Sequence, residues 1–141
     1  ASRSVKQEGE YAISAIERLV RNAREVSTSS TDAVCDGTLV SQIYVTSPNE
    51  NITTFKCVDD SSVARIASVS GSQTEYLTGK NVTIGASCVS ASSLFTCTST
   101  GDSPPRVTIS FTLAQKNTGN DPVQSVSIPF QTTILVRNSN L

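Results

Sequence analysis

The sequence predicts an α+β fold, a long N-terminal amphipathic helix packed on an antiparallel β-sheet body, in a single domain spanning residues 1–141. Three observations predict it. Residues 5–26 carry apolar side chains at helical spacing, with charges on the opposite side. The rest of the chain is written in short apolar runs broken by Ser, Thr, Asn, Gly and Pro. Towards the C-terminus Val107, Ile109, Phe111 and Leu113 alternate with Thr108, Ser110 and Thr112, which gives a strand one apolar and one hydroxylated face.

At about 100° per residue, Val5, Gly9, Ala12, Ile13, Ile16, Leu19, Val20, Ala23 and Val26 share one side of the helix, within an arc of roughly 140°. Lys6, Glu10, Glu17, Arg18, Arg21, Arg24 and Glu25 take the other side, and Glu17 precedes Arg21 by one turn, the favoured order for an ion pair. The centre of the stripe, Ile13, Ile16, Leu19, Val20 and Ala23, is expected to pack on the sheet. Gly9 is the one weak helix former, costing about 1 kcal/mol relative to Ala. Ser27-Thr-Ser-Ser-Thr31 competes for the backbone and stops the helix. The chain thus divides into a helix at 1–26, a linker at 27–37 and a β-rich head at 38–141.

Within the head, 38–46 and 52–58 read as a hairpin, and 63–69 as a weaker strand after the Asp59-Asp60-Ser61-Ser62 turn. Short strands are expected at 75–77, 82–84 and 93–98. The alternating strand at 107–113 turns at 117–122 into a return strand at 125–137, where Val126, Ile128, Phe130, Ile134 and Val136 share a face and Pro129 marks an edge or a bulge. The Ser and Thr spread through these strands suits a solvated sheet face.

Cysteines stand at 35, 57, 88 and 97, with no CxxC pair and no His to complete a zinc site. Disulfides account for them, which implies an oxidising compartment. Of the three possible connectivities, Cys35–Cys57 with Cys88–Cys97 is favoured, because each closes a short loop between segments that plausibly neighbour one another.

The composition excludes much chemistry. Without His there is no His-based triad, Cys–His dyad or HExxH site. Gly79, Gly85 and the other glycines never form a phosphate-cradling run, and Asp59, Asp60 and Glu75 read as turn and strand residues rather than an acid–base pair. Asn117, Asn120 and Asp121 likewise read as a turn rather than a Ca²⁺ loop. No enzyme activity, cofactor, metal or small-molecule substrate is expected. A net charge of −1 leaves no footprint for nucleic acid, and Arg18, Arg21 and Arg24 suit the negative end of the helix dipole. Asn51-Ile-Thr53 and Asn81-Val-Thr83 match the glycosylation pattern by chance in a Thr-rich chain. Tyr11 is an aromatic on the polar side of the helix, a position suited to a subunit contact. Binding, if any, is expected in the loops at 47–51 and 98–105.

The segment Ser4-Val-Lys-Gln-Glu-Gly-Glu-Tyr-Ala-Ile-Ser-Ala-Ile-Glu-Arg-Leu-Val-Arg-Asn-Ala-Arg-Glu-Val26 resembles the exposed half of the N-terminal helix in type IV pilins and minor pseudopilins. Pro105-Arg-Val-Thr-Ile-Ser-Phe-Thr-Leu113 and Phe130-Gln-Thr-Thr-Ile-Leu-Val-Arg-Asn138 resemble the C-terminal strands of proteins with a prepilin-type methylation segment. The resemblance implies an apolar half-helix upstream of Ala1 that anchors the subunit in the membrane and later forms a filament core. It implies assembly with other pilin subunits at the cell surface, in a pilus or a secretion or competence filament. Tyr11, Glu17, Arg18, Arg21 and Glu25 are then the expected subunit contacts. The alternative is a secreted β-rich adhesion module that recognises glycan or protein.

Overall fold

The computed structural model of the protein describes residues 2–90, 93–101, 103–116 and 126–137. Strand makes up 49% and helix 17% of it. The expected α+β layout, a long helix on a sheet body, is therefore corrected: the fold is mostly antiparallel β-sheet, with one α-helix, α1 (Ser2–Arg21), among the described residues. The helix ends at Arg21 rather than at Val26. The Ala23 N–H turns back to the Val20 carbonyl at 3.1 Å, the Arg24 N–H donates to the Thr46 carbonyl at 2.8 Å, and Glu25–Ser27 becomes strand β1. Val26 shows why. A β-branched residue fits a strand well, and it is buried there opposite Val45 with sheet partners on hand.

Nine further strands follow among the described residues: β2 (Asp36–Val40), β3 (Gln42–Thr46), β4 (Ile52–Asp60), β5 (Val63–Ser70), β6 (Gln73–Tyr76), β7 (Val82–Thr83), β8 (Phe95–Thr98), β9 (Arg106–Gln115) and β10 (Ser127–Leu135). They form two antiparallel sheets, one ordered β1-β3-β4-β5-β6 and the other β10-β9-β8-β2, with β7 pairing the end of β9. β3 and β4 make the expected hairpin, Ile43 opposite Phe55 and Val45 opposite Thr53. β4 and β5 are joined by Ser61-Ser62, both at positive φ (52° and 73°), as a two-residue hairpin whose turn must follow the strand twist requires. The strand expected at 38–46 divides at Ser41, and its halves enter different sheets. The turn expected at 117–122 lies outside the described residues, as does the start of the return strand at 125.

The core lies between the sheets and under α1. Ile43, Phe55 and Ile66 from the first sheet, Phe95, Ile109 and Leu113 from the second, and Val5, Ile16 and Val20 from the helix are fully buried in one cluster. The period-2 pattern of β9 holds along its length, with Val107, Ile109, Phe111 and Leu113 inward and Ser110 and Thr112 outward. β5 differs, because five consecutive residues, Val63 to Ala67, are buried. Its outer side carries Arg65, whose guanidinium lies 3.8 Å over the Tyr76 ring, donates to the Thr78 carbonyl at 2.9 Å and pairs with Asp60 at 2.7 Å.

Two disulfides are present, but not the expected pairs. Cys35 bonds Cys97 and Cys57 bonds Cys88, with Cα–Cα separations of 4.8 and 5.6 Å. The division at Ser41 decides this. It sends β2 into the second sheet, where Asp36 sits opposite Thr98, so Cys35 arrives beside Cys97. Cys57 remains in the first sheet and meets the 3₁₀ turn Cys88–Ser90, whose Cys88 N–H donates to Asp59 at 2.9 Å. Proximity in sequence was a poor guide, since the closed loops span 62 and 31 residues.

Candidate functional site

The surface built by α1 and the strand beneath it is the best-defined candidate. α1 contacts β9 and β10, and it does so closely because of Gly9. A Cβ at that position would stand 2.1 Å from Phe130 Cζ and within 2.5 Å of both Cε atoms. The absence of a side chain lets the tip of the ring enter the helix surface, where it stacks on Phe111 at 5.3 Å between centroids. At the far end the Arg137 N–H donates to the Arg21 carbonyl at 3.0 Å, satisfying one of the open carbonyls of the helix terminus. Along one flank Glu8 accepts a hydrogen bond from the Gly79 N–H at 2.8 Å. The helix is thus held to β10 through Gly9, to the residues just after β10 at its C-terminal end, and to the β6–β7 connection at its side.

The expected packing residues divide accordingly. Ile16, Val20 and Ala23 are fully buried, Ile13 is half-buried, and Leu19 is 39% exposed. The Gly79 segment covers the Leu19 flank only near the start of the helix, at Glu8, about three turns earlier. Of the expected subunit contacts, Tyr11 is 55% exposed and Arg18 is exposed, while Glu17 and Arg21 form a part-exposed ion pair at 2.7 Å. These four occupy one strip about 120° wide. Glu25 is exposed but belongs to β1, away from that strip.

A cleft of about 650 Å³ opens where the helix passes into β1, lined by Arg24, Glu25, Val26, Cys35, Glu50 and Ile52 among others. Arg24 and Glu50 form an ion pair across it. Glu50 belongs to the 47–51 loop, closed by the Ser47 N–H donating to the Asn51 carbonyl at 2.8 Å, and it holds a positive φ of 72°. Neither this pair nor the Glu8, Gly9 and Arg65 contacts was found in the sequence. Arg65 alone left a signal, a charge inside an apolar strand.

Two of the three carboxylates singled out in the sequence have structural partners, Asp60 with Arg65 and Asp59 with the Cys88 N–H, while Glu75 lies on the exposed β6. Among the described residues no group of three or more His, Cys, Asp or Glu could hold a metal ion. The Asn117, Asn120 and Asp121 loop lies outside the described residues. The Asp36 carboxyl is held below the usual carboxylate range, chiefly by the Thr38 hydroxyl and then by the Thr38 N–H at 3.1 Å. No helix of the described residues is long and apolar enough to cross a membrane.

No family model, curated protein or solved structure matches this chain.

Proposed function

We propose that the chain is a structural subunit of a surface filament, major or minor, in a type IV pilus or a related secretion or competence filament. The observation that carries the proposal is the division of α1. Its apolar side is consumed by the chain's own sheets, through Ile16, Val20 and the Gly9–Phe130 contact, while the strip of Tyr11, Glu17, Arg18 and Arg21 faces outward. Such a strip suits contact with neighbouring copies that an upstream apolar segment brings together. The two disulfides fit an oxidising, extracellular setting.

The test begins with the coding sequence upstream of Ala1, where an apolar run of about 20 residues behind a short basic leader is expected. Cells producing the full-length protein should then release it in sheared filaments visible by electron microscopy. Replacing Tyr11 with Ala and Arg18 with Glu should lower filament yield several-fold while leaving the melt of the soluble domain unchanged. A full-length product found only as free protein would sink the proposal. The cleft beside Arg24 and Glu50 favours the second possibility, an adhesion module for glycan or protein, and glycan binding lost on filling the cleft with Ala33→Trp would support it.

A further inference from the structure

We infer that sheet edges β10 and β2 are the two halves of a head-to-tail contact between copies of this chain, so that the second sheet continues from one subunit into the next. The inference rests on the filament proposal above and names one of its lateral contacts.

The hydrogen-bond phase of β10 supplies the first half. The Gln115 N–H donates to the Val126 carbonyl, and the Val136 N–H donates to the Pro105 carbonyl. Even-numbered residues of β10 therefore bond inward to β9. In an antiparallel pair the alternate residues then direct their N–H and C=O groups to the other side, and in β10 these are the odd-numbered ones. Arg137, next in that outward series, already gives its N–H to Arg21. Pro129 has no N–H to offer. What remains is the run Gln131, Thr133 and Leu135, all exposed, and no strand among the described residues pairs with it. Such an edge is a template for an added strand.

The other half is β2, at the opposite edge of the same sheet, also five residues long and exposed at its first four positions. Each step from β10 through β9 and β8 to β2 is antiparallel, so three reversals leave β2 running against β10. A copy displaced sideways without rotation would therefore lay its β2 antiparallel to this β10. That polarity permits an open-ended array, as a heterologous interface does. Side chains point to the same pairing. Leu39 is opposite Thr96, which is opposite Thr108, which is opposite Thr133, so Leu39 shares the outer, hydroxyl-bearing face of the sheet with Thr133 and Leu135. Leu39 and Leu135 are 61% and 45% exposed, one at each edge of a face otherwise rich in Ser and Thr. Joining the edges brings them together. The first sheet lacks an equivalent pair of edges, because the chain after β1 folds back on it: the Thr28 N–H donates to the Val34 carbonyl and the Val34 N–H to Ser27 Oγ. A contact this small lies below the roughly 1,000 Å² of a self-sufficient interface, so it operates only where other contacts raise the local concentration.

Thr133→Pro tests the edge directly. It removes an outward N–H, together with the exposed hydroxyl contact between Thr133 and Thr108 at 3.0 Å, and leaves the inward backbone ladder to β9 intact; Pro129 shows that the strand accepts proline in the same phase. The soluble domain should keep its melting temperature and both disulfides, while the full-length protein should lose at least tenfold in filament yield. Leu135→Glu and Leu39→Lys, each made alone, should reduce yield likewise, and the double variant should restore it. Within one chain these residues lie roughly 15 Å apart across the sheet, so that rescue has to occur between copies. Wild-type filaments with normal yield from Thr133→Pro or from the single charge variants would overturn the edge contact and leave the filament proposal standing. Absence of wild-type filaments would overturn the filament proposal itself.

Discussion

Gly9→Ala should destabilise this protein although Ala is the better helix former. Two effects oppose each other. In an exposed helix the change would gain about 1 kcal/mol. Here the new Cβ would meet Phe130 Cζ at 2.1 Å and its Cε atoms at 2.3 and 2.5 Å, so roughly 1.5 Å of separation has to be found before the contact reaches an ordinary 3.5–4 Å. The ring cannot retreat freely, because it stacks on Phe111 and its backbone is paired to β9. Overpacking of this kind costs about 1–3 kcal/mol, so with the propensity gain set against it the net loss reaches about 2 kcal/mol, a fall in melting temperature of up to about 8 °C for a domain of this size. Circular-dichroism melts of Gly9→Ala, Phe130→Ala and the double variant form the cycle. With the ring removed, Gly9→Ala should turn stabilising, by up to about 1 kcal/mol. If it stabilises the wild-type background, or if its sign does not change when Phe130 is absent, the account of the glycine is wrong.

Ile16→Ala should cost about 2–5 kcal/mol and Leu19→Ala less than about 1 kcal/mol, since the first is fully buried and the second 39% exposed; paired melts distinguish them. Non-reducing peptide mapping should recover Cys35 joined to Cys97 and Cys57 to Cys88, and replacing Cys57 and Cys88 together by Ala should cost about 2–4 kcal/mol in chemical denaturation. Arg65→Met should lose about 1–3 kcal/mol, because it leaves the Thr78 carbonyl and Asp60 without their donor. Arg65→Lys should recover only part, as an ammonium cannot serve both acceptors from one planar fork.

The sequence revealed local periodicity and little of what lies across space. The inward face of β9 and part of the helix stripe were legible because period 2 and period 3.6 are written in consecutive residues: Val107, Ile109, Phe111 and Leu113 are buried, as are Ile16 and Val20, whereas Leu19 of the same stripe is exposed. The crossing at Ser41 was not legible, since a continuous run of β-favouring residues carries no sign that its halves belong to different sheets. The disulfides followed from that crossing and were lost with it. The end of the helix was misplaced for a related reason: Val26 suits either a helical stripe or a buried strand, and only β3, brought alongside as a partner for Val26, decides between them. Gly9 looked like a defect in the helix until its partner, Phe130 in the last strand, supplied the reason for it.

Under the filament proposal those long-range contacts bear on assembly as well as stability. α1 is fixed to β10 by Phe130 beneath Gly9 in its first half, and to the chain just after β10 by the Arg137 hydrogen bond to Arg21 at its end. The outward strip of the helix and the outward edge of β10 therefore keep one relative orientation, set before any partner arrives. A pre-ordered surface spends less conformational entropy on association than one whose parts move independently. This gives Gly9 a second consequence under the filament proposal: a methyl group that lifts α1 from Phe130 would tilt the strip carrying Tyr11 and Arg18 relative to the β10 edge. Filament yield from Gly9→Ala should then fall by more than its loss of stability accounts for, whereas Ile128→Val, a milder change in the same strand, should track stability alone. That difference separates a surface whose two parts act together from two contacts that merely share a subunit.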